Sequence, residues 1–166
     1  MQYFNSHKYN QIQGTVYNHL KSYIMNDLSP FHLAIPVDNL ELCRDFYGRL
    51  LQCKEGRSDA HWVDFNFFGH QLVIHQRADG DPAPAKVFNP VDGHQVPVPH
   101  FGVVLSWDAW HELNKHLTSQ KVHFIIEPHI RFKGKPGEQA TMFFLDPEGN
   151  ALEFKAFKDL SNLFNK

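Results

Sequence analysis

The segment DPEGNALEFKAF at residues 146–157 predicts a tight turn followed by a short strand. Pro and Gly supply the dihedral angles of a turn, and Asp and Asn bond to nearby backbone, so residues 146–150 form the turn. Side chains alternate along a strand, which places Glu153 on one face with Ala151 and Lys155. A carboxylate within an apolar strand is costly to bury without a partner. Glu153 therefore has two interpretations: a salt bridge to an Arg or Lys, or a metal ligand.

The pattern that opens the first predicted strand occurs twice. Residues 100–106, HFGVVLS, match residues 32–38, HLAIPVD, as His, apolar, small, apolar, any, apolar and helix cap. Each copy is followed by a helical pattern and about three strands. An internal repeat of this kind predicts two βαβββ modules, at residues 29–76 and 100–158, and an α+β fold.

Aligning the two predicted hairpins places Gly69 on Gly149, and therefore Val73 on Glu153. A pseudo-twofold axis between the modules would bring together four equivalent strand positions, which are His32, Val73, His100 and Glu153. Two imidazoles and one carboxylate form the facial triad that leaves positions open on a divalent metal, typically Fe(II). We therefore predict His32, His100 and Glu153 as metal ligands, with a buried polar cluster as the alternative. Val73 cannot coordinate and leaves a position open.

The remaining segments carry structural predictions only. The capping box Asp38–Glu41 predicts a helix capped by Asp38, with Leu42 among the core residues. Residues 77–99 hold five of the ten prolines and predict a linker without regular structure. Pro128 predicts a bulge in its strand. Helical spacing within residues 1–28 predicts a partly helical extension that packs on the domain or on a homodimer partner, and residues 159–166 read as a tail or short helix.

Composition restricts the classes of partner. The 166 residues are 42% apolar and 20% charged, as expected of one soluble domain. The net charge of −2 argues against binding to nucleic acid or anionic membranes. No apolar run approaches the roughly 18 residues of a membrane span, and the N-terminal residues lack the layout of a secretory signal. The chain contains two cysteines, and we expect no disulfide framework. We expect a cytoplasmic protein that binds a small molecule.

The region from residue 29 to 158 resembles the vicinal oxygen chelate superfamily, which includes glyoxalases, fosfomycin and bleomycin resistance proteins, and extradiol dioxygenases. The resemblance is carried by His32, His100 and the segment 146–153, DPEGNALE. It implies paired modules that form a curved mixed β-sheet cup, with flanking helices, around a divalent metal. Extradiol dioxygenases use His, His and Glu, which match His32, His100 and Glu153, and the region is similar to a predicted extradiol-type branch.

Two positions depart from relatives within this resemblance. Glyoxalase I-type members supply a fourth ligand, a Glu, where this chain has Val73. Single-copy extradiol enzymes place a Tyr near the position of Phe143. The resemblance therefore implies the metal ligands of the extradiol enzymes but not the acid–base residues with which those enzymes cleave rings.

Other residues are candidates for substrate contact. Strand alternation puts Gln71 and His75 on the face of Val73, where His75 is either an acid–base group or a hydrogen-bonded rim residue. His94, six residues before His100, is either a lid residue or a solvated one. Arg131, Lys133, Lys135 and Lys155 suggest an anionic substrate, with a solvated basic loop as the alternative.

We therefore expect a metal-dependent dioxygenase, most simply with Fe(II), acting on a small anionic substrate chelated through vicinal oxygens. One alternative is a redox-neutral lyase, isomerase or thiol transferase that uses Ni, Mn or Zn. Another is a metal-free binding protein that sequesters its ligand. Fe(II) with oxygen uptake favours the first, and activity without oxygen favours the second.

Overall fold

The computed structural model describes residues 28–78, 80–81, 85, 87–91 and 93–165. The predicted N-terminal helix lies outside these residues, apart from Leu28 at its end. The chain divides after His32, so Leu33–Lys166 is the compact unit in which the fold and the site are described.

The first module contains four strands and one helical segment. Its sheet has the order β1-β4-β3-β2. The elements are β1 (His32–Val37), α1 (Leu40–Asp45) with a π-helical continuation (Phe46–Leu50), β2 (Lys54–Asp59), β3 (Trp62–Phe67) and β4 (His70–Gln76).

The second module repeats this arrangement. Its sheet has the order β7-β11-β10-β9, and β8 also pairs with β11. The elements are β7 (His100–Phe101), β8 (Val104–Leu105), α2 (Trp107–Ser119), β9 (Phe124–Arg131), β10 (Gln139–Leu145) and β11 (Ala151–Phe157), followed by a 3₁₀ helix (Leu160–Phe164).

The matching strand orders confirm the predicted repeat and the α+β class. In the second module β11 runs parallel to β7 and β8 but antiparallel to β10, so the sheet is mixed. The bulge predicted at Pro128 is confirmed, because Ile126 and His129 of β9 lie opposite Phe143 and Thr141 of β10. The strand β9 thus carries one residue more than its partner between these two pairs.

The predicted cap of α1 was wrong by one residue. Asn39, not Asp38, accepts the backbone N–H of Leu42 at 3.0 Å. Asp38 instead forms a bidentate ion pair with Arg77, whose Nε donates to Asp38 Oδ1 at 2.6 Å. Leu42 is exposed, contrary to the prediction, because Leu40 and Cys43 form the buried face of α1 and Leu42 lies off that face.

The predicted absence of regular structure in residues 77–99 was also wrong. The segment contains a two-stranded antiparallel hairpin of β5 (Val87–Val91) and β6 (His94–Val98). Prolines do not prevent this pairing, because a two-stranded ribbon has only edge strands, where a missing N–H is tolerated. The hairpin buries Val96 among Ile126, Phe143 and Ala151.

Side chains of the second module's turn bond to the first module's helix. Asp146 is 4% exposed and accepts the hydroxyl of Tyr47 at 2.8 Å, while its other oxygen accepts the backbone N–H of Glu148 and Asn150. Burial, then the charge of Asp146, raises the pKa of Tyr47, which keeps this hydroxyl protonated as the donor. The DPEGN turn thus joins the modules through hydrogen bonds as well as reversing the chain.

Candidate functional site

Glu153 lies near the middle of β11, where its side chain is only 18% exposed. The hydroxyl of Thr141, on the neighbouring strand, donates to Glu153 Oε1 at 3.1 Å. The ammonium of Lys155 lies 3.2 Å from the same oxygen. One carboxylate oxygen is therefore held by two partners, while Oε2 is turned towards His100.

His100 is brought beside Glu153 by the parallel pairing of β7 and β11, in which Ala151 is its backbone partner. Its Nδ1 lies 2.8 Å from the carbonyl oxygen of Pro97. A carbonyl can only accept, so Nδ1 carries the proton in this pair. In a neutral ring, Nε2 then has the free lone pair, and it lies 3.4 Å from Glu153 Oε2.

Gly102 permits this approach of β7 to β11. A Cβ added to Gly102 would lie 1.7 Å from the carbonyl oxygen of Glu153 and 2.6 Å from its carbonyl carbon. No other residue fits against the backbone at this distance without displacing Glu153. The close approach lies at the break between β7 and β8, after which Lys155 N donates to Val103 O at 3.2 Å.

The surroundings of the pair are apolar on one side. The ring of His100 meets Phe143 edge to face, with 5.1 Å between ring centroids. Phe143 is buried with Ile126, Val96 and Ala151. Such a wall lowers the local dielectric constant and strengthens electrostatic interactions at the site.

The pair suits a divalent metal in both donor chemistry and spacing. Imidazole nitrogen and carboxylate oxygen bind ions such as Zn²⁺ at about 2.0–2.2 Å. Two adjacent ligands at such distances are separated by about 3.4 Å on a tetrahedral ion and by about 3.0 Å on a six-coordinate one, and His100 Nε2 lies 3.4 Å from Glu153 Oε2. The hydrogen bond from Nδ1 to Pro97 is the outer contact that commonly fixes the orientation of a ligating histidine.

The third predicted ligand, His32, begins β1 and is exposed. The division of the chain falls directly after His32, so His32 does not belong to the unit that contains His100 and Glu153. The complete triad therefore stays a prediction. Across the described part of the chain, no group of three or more His, Cys, Asp or Glu residues is gathered to hold a metal.

The face of Val73 carries a polar cluster that the sequence reasoning missed. Val73 is buried, and its cross-strand partner is Asp64, which is also buried. Asp64 Oδ2 accepts from Gln71 Nε2 at 3.2 Å and from Arg57 Nη2 at 3.1 Å. The signal was available, because Asp64 interrupts the apolar run WVDF as Glu153 interrupts ALEF.

The other predicted contacts are dispersed over several elements. His75 is exposed on β4 opposite Trp62, and His94 begins β6. Arg131 ends β9, with its guanidinium 5.0 Å from the centre of the Phe132 ring. Of these predicted residues, Lys155 has a contact with the His100–Glu153 pair among the described residues, and its ammonium balances the charge of Glu153 there. Glu153 therefore has a cationic partner in Lys155 and an imidazole partner in His100, so its contacts fit both the salt-bridge and the metal-ligand interpretation.

The fold and the site define a class: α+β proteins of two βαβββ modules, here with a His–Glu pair in the second. A model of the glyoxalase/bleomycin resistance protein/dioxygenase superfamily matches residues 29–154. The chain belongs to this superfamily.

Solved structures show the same architecture. A glyoxalase/bleomycin resistance protein/dioxygenase from Alicyclobacillus acidocaldarius is 31% identical, with a TM-score of 0.67, covering 85% of this chain and 100% of that one. The fosfomycin resistance protein FosX from Listeria monocytogenes is 17% identical, with a TM-score of 0.55, covering 84% and 98%. Lactoylglutathione lyase from Agrobacterium tumefaciens is 16% identical, with a TM-score of 0.55, covering 85% and 99%.

At these lower identities the likeness concerns the fold alone. No curated protein matches the chain. None of the helices in the described part of the chain combines the length and apolar character that crossing a membrane would require.

Proposed function

We propose that this chain is a metal-dependent enzyme of the dioxygenase type that binds a divalent ion, most simply Fe(II), through His32, His100 and Glu153. The observation that carries the proposal is the His100 Nε2 to Glu153 Oε2 distance of 3.4 Å, with Nδ1 already engaged by Pro97. Val73 supplies no ligand, so positions stay open for a substrate with two adjacent oxygens. When bound, such an ion acts as a Lewis acid and orients the substrate.

The chain's own residues have separate roles in this proposal. Thr141 holds Oε1 of Glu153 and so orients the carboxylate. The ammonium of Lys155 and the guanidinium of Arg131 favour a substrate with negative charge. Phe143 and its apolar neighbours exclude water from one side of His100. His75 is the proposed acid–base residue, with Gln71, Val73 and His94 as further contacts to the substrate.

The experiment combines metal analysis with oxygen uptake. Protein purified without oxygen should retain close to one equivalent of iron, and it should consume oxygen in the presence of one member of a catechol panel. His100→Ala should lose both properties. His61→Ala, an exposed histidine bonded to Gln76 at 3.3 Å, is the matched control and should keep both. Wild-type protein that holds no divalent metal after loading contradicts the proposal.

One observation favours a redox-neutral alternative with Ni, Mn or Zn. Phe143 has no hydroxyl, so an acid–base group that extradiol relatives place near this position is missing. Turnover under strictly anaerobic conditions, with Mn or Ni restoring activity better than iron, would support this alternative and contradict the oxygenase.

Another observation favours the metal-free binding protein. Lys155 balances the charge of Glu153 without any metal. A fully folded protein that binds its anionic ligand equally well in excess chelator would support this function. A strict requirement for metal in ligand binding would contradict it.

A further inference from the structure

The sheet of the first module has two faces of different character. Val63 and Phe65 of β3 belong to the hydrophobic core. Because side chains alternate along a strand, Asp64 points to the opposite face, where its cross-strand partner is Val73. Val73 is the equivalent of Glu153 in the repeat. This face of the first module therefore corresponds to the face of the second module that carries Glu153.

A β-bulge directs a cation to this face. Two residues of β2, Gly56 and Arg57, lie opposite the single residue Asp64 of β3. A bulge of this kind bends the strand and re-aims a side chain. The guanidinium of Arg57 donates to Asp64 Oδ2 from Nε at 3.2 Å and from Nη2 at 3.1 Å. The bulge thus places the positive charge of Arg57 on the face that carries Asp64.

The guanidinium of Arg57 is held in one orientation and yet is accessible. Asp64 is 7% exposed, and Gln71 Nε2 also donates to its Oδ2 at 3.2 Å. The side chain of Arg57 is 79% exposed, and its guanidinium lies 6.0 Å from the centre of the Trp62 ring. Since Nε and Nη2 share one oxygen of Asp64, the edge formed by Nη1 and Nη2 keeps N–H groups that no described residue accepts. Arg57 is therefore fixed by one edge and open to solvent at the other.

The open edge of Arg57 matches a carboxylate. Two parallel N–H groups of a guanidinium bind the two oxygens of a carboxylate, and here their direction is set before a ligand arrives. An ammonium has no second edge of this kind, and that of Lys155 is already paired with Glu153. Arg57 is thus better suited than Lys155 to recognise the negative charge of a substrate.

We propose that Arg57 binds the carboxylate of the substrate and so selects catechol-like compounds that carry one. This inference rests on the proposed function, in which the metal lies beside the position of Val73 and holds two adjacent oxygens of the substrate. Cross-strand neighbours have Cβ atoms about 4.5–5.5 Å apart, so Asp64 brings Arg57 close to that position. Asp64 and Gln71 are positioning residues, and Arg57 determines specificity.

The experiment compares protocatechuate, a catechol with a carboxylate, with its neutral amide. Both are titrated calorimetrically into the full chain loaded with Mn²⁺ in the absence of oxygen, so that no turnover occurs. Wild-type protein should bind protocatechuate at least about tenfold more tightly than the amide, as expected for charge-assisted hydrogen bonds. Arg57→Gln should bind the two compounds within about twofold of each other. Its affinity for the amide should stay within about threefold of wild type, which shows that the variant is folded.

Two further arginine variants test the geometry of the contact. Arg57→Lys keeps the charge but removes the second edge, and should retain less than about a third of the wild-type preference for protocatechuate. Arg49→Gln is the matched control, because the guanidinium of Arg49 pairs with Asp45 through the same two nitrogens, Nε and Nη2, at 2.6 and 2.8 Å. It should keep the preference within about twofold of wild type.

The ratio of the two affinities tests Arg57, whereas their absolute values test the metal site. His100→Ala should weaken the binding of both compounds by about the same factor. A preference that depends on Arg57 but not on His100 or Mn²⁺ would support the carboxylate contact and contradict the metal-dependent function. Wild-type protein that fails to bind protocatechuate, or that binds the amide equally well, would overturn the inference. So would an Arg57→Gln variant that keeps the wild-type preference.

Discussion

The two modules share one backbone arrangement but differ in where they place a carboxylate. In both, the last strand pairs antiparallel with the strand before it. Glu153 lies on the last strand opposite Phe143. In the first module the equivalent pair is Val73 opposite Asp64, so the acidic residue there lies on the strand before the last one. The repeat fixes the positions, and the residue types decide which of them can bind a metal.

The partners of the two carboxylates differ accordingly. Asp64 receives hydrogen bonds from Arg57 and Gln71 on one oxygen. Glu153 keeps one oxygen for Thr141 and Lys155 and turns the other towards His100. The first module thus stabilises its carboxylate with a charge pair, whereas the second adds an imidazole. Each of the following predictions changes a residue in one of the two modules.

The largest effect is expected from Gly102→Ala. The equivalent residue in the first module is Ala34, which is exposed, whereas a Cβ on Gly102 would lie 1.7 Å from Glu153 O. The substitution must separate β7 from β11, and should lower the free energy of unfolding by about 3 kcal/mol. Urea denaturation measures this loss. Gly48→Ala is the control, since its Cβ would lie 3.7 Å from Phe65; equal stability of the two variants would contradict the predicted clash.

A smaller effect is expected from Lys155→Met, which separates the two interpretations of Glu153. If Glu153 binds a metal, Lys155 is a cation next to the ion, and its removal should raise metal affinity about tenfold. Lys135→Met, which removes the same charge from an exposed turn, should change affinity less than twofold. Isothermal titration with Mn²⁺ measures both. Lower stability with no gain in affinity would mean that Glu153 serves the salt bridge alone.

In the first module, Asp64→Asn should cost about 1 kcal/mol of stability. The amide cannot accept the full set of hydrogen bonds from Arg57 and Gln71, but Arg57 is 79% exposed and can return to water. Metal affinity should not change. Thermal unfolding and a metal titration of the same sample test both parts, and a weakened metal site would show that Asp64 belongs to it.

An effect of similar size for each residue concerns the thiols, both of which belong to the first module. Burial raises the pKa of Cys43 and of Cys53 to about 12. A raised pKa means that the unfolded chain loses the proton first, so stability is intact below about pH 9 and falls as the pH rises towards 12. At pH 10 each thiol should cost about 1 kcal/mol. Denaturation at pH 8 and pH 10 measures this change, and a Cys53→Ala variant should show a shallower decline.

Much of the fold could be predicted from the sequence, because the repeat is carried by local patterns. The hairpin at Gly69, the cap at Ser106 and the bulge near Pro128 each follow from the residues at that position. The cap of α1 could not be predicted, because Asp38 and Asn39 are both good caps. Arg77, which is distant in sequence, forms an ion pair with Asp38, and Asn39 caps the helix instead.

The site could be predicted in part for a related reason. The pairing of His100 with Glu153 follows from equivalent strand positions, and the structure brings them within 3.4 Å. The proximity of Lys155 to Glu153 was implied by alternation, yet its ion pair needed side-chain geometry. The repeat could not reveal Asp64, because it aligns Val73 with Glu153 and carries no information about the residue opposite Val73 on the adjacent strand.

The most direct test of the central claim is a metal titration of four single variants. Wild-type protein should bind one Fe(II) or Mn²⁺ per chain, and His32→Ala, His100→Ala and Glu153→Gln should each lower the affinity at least 100-fold. His61→Ala should bind as wild type does. If the three ligand variants keep wild-type affinity, or if wild type binds no divalent ion, His32, His100 and Glu153 do not form a metal site.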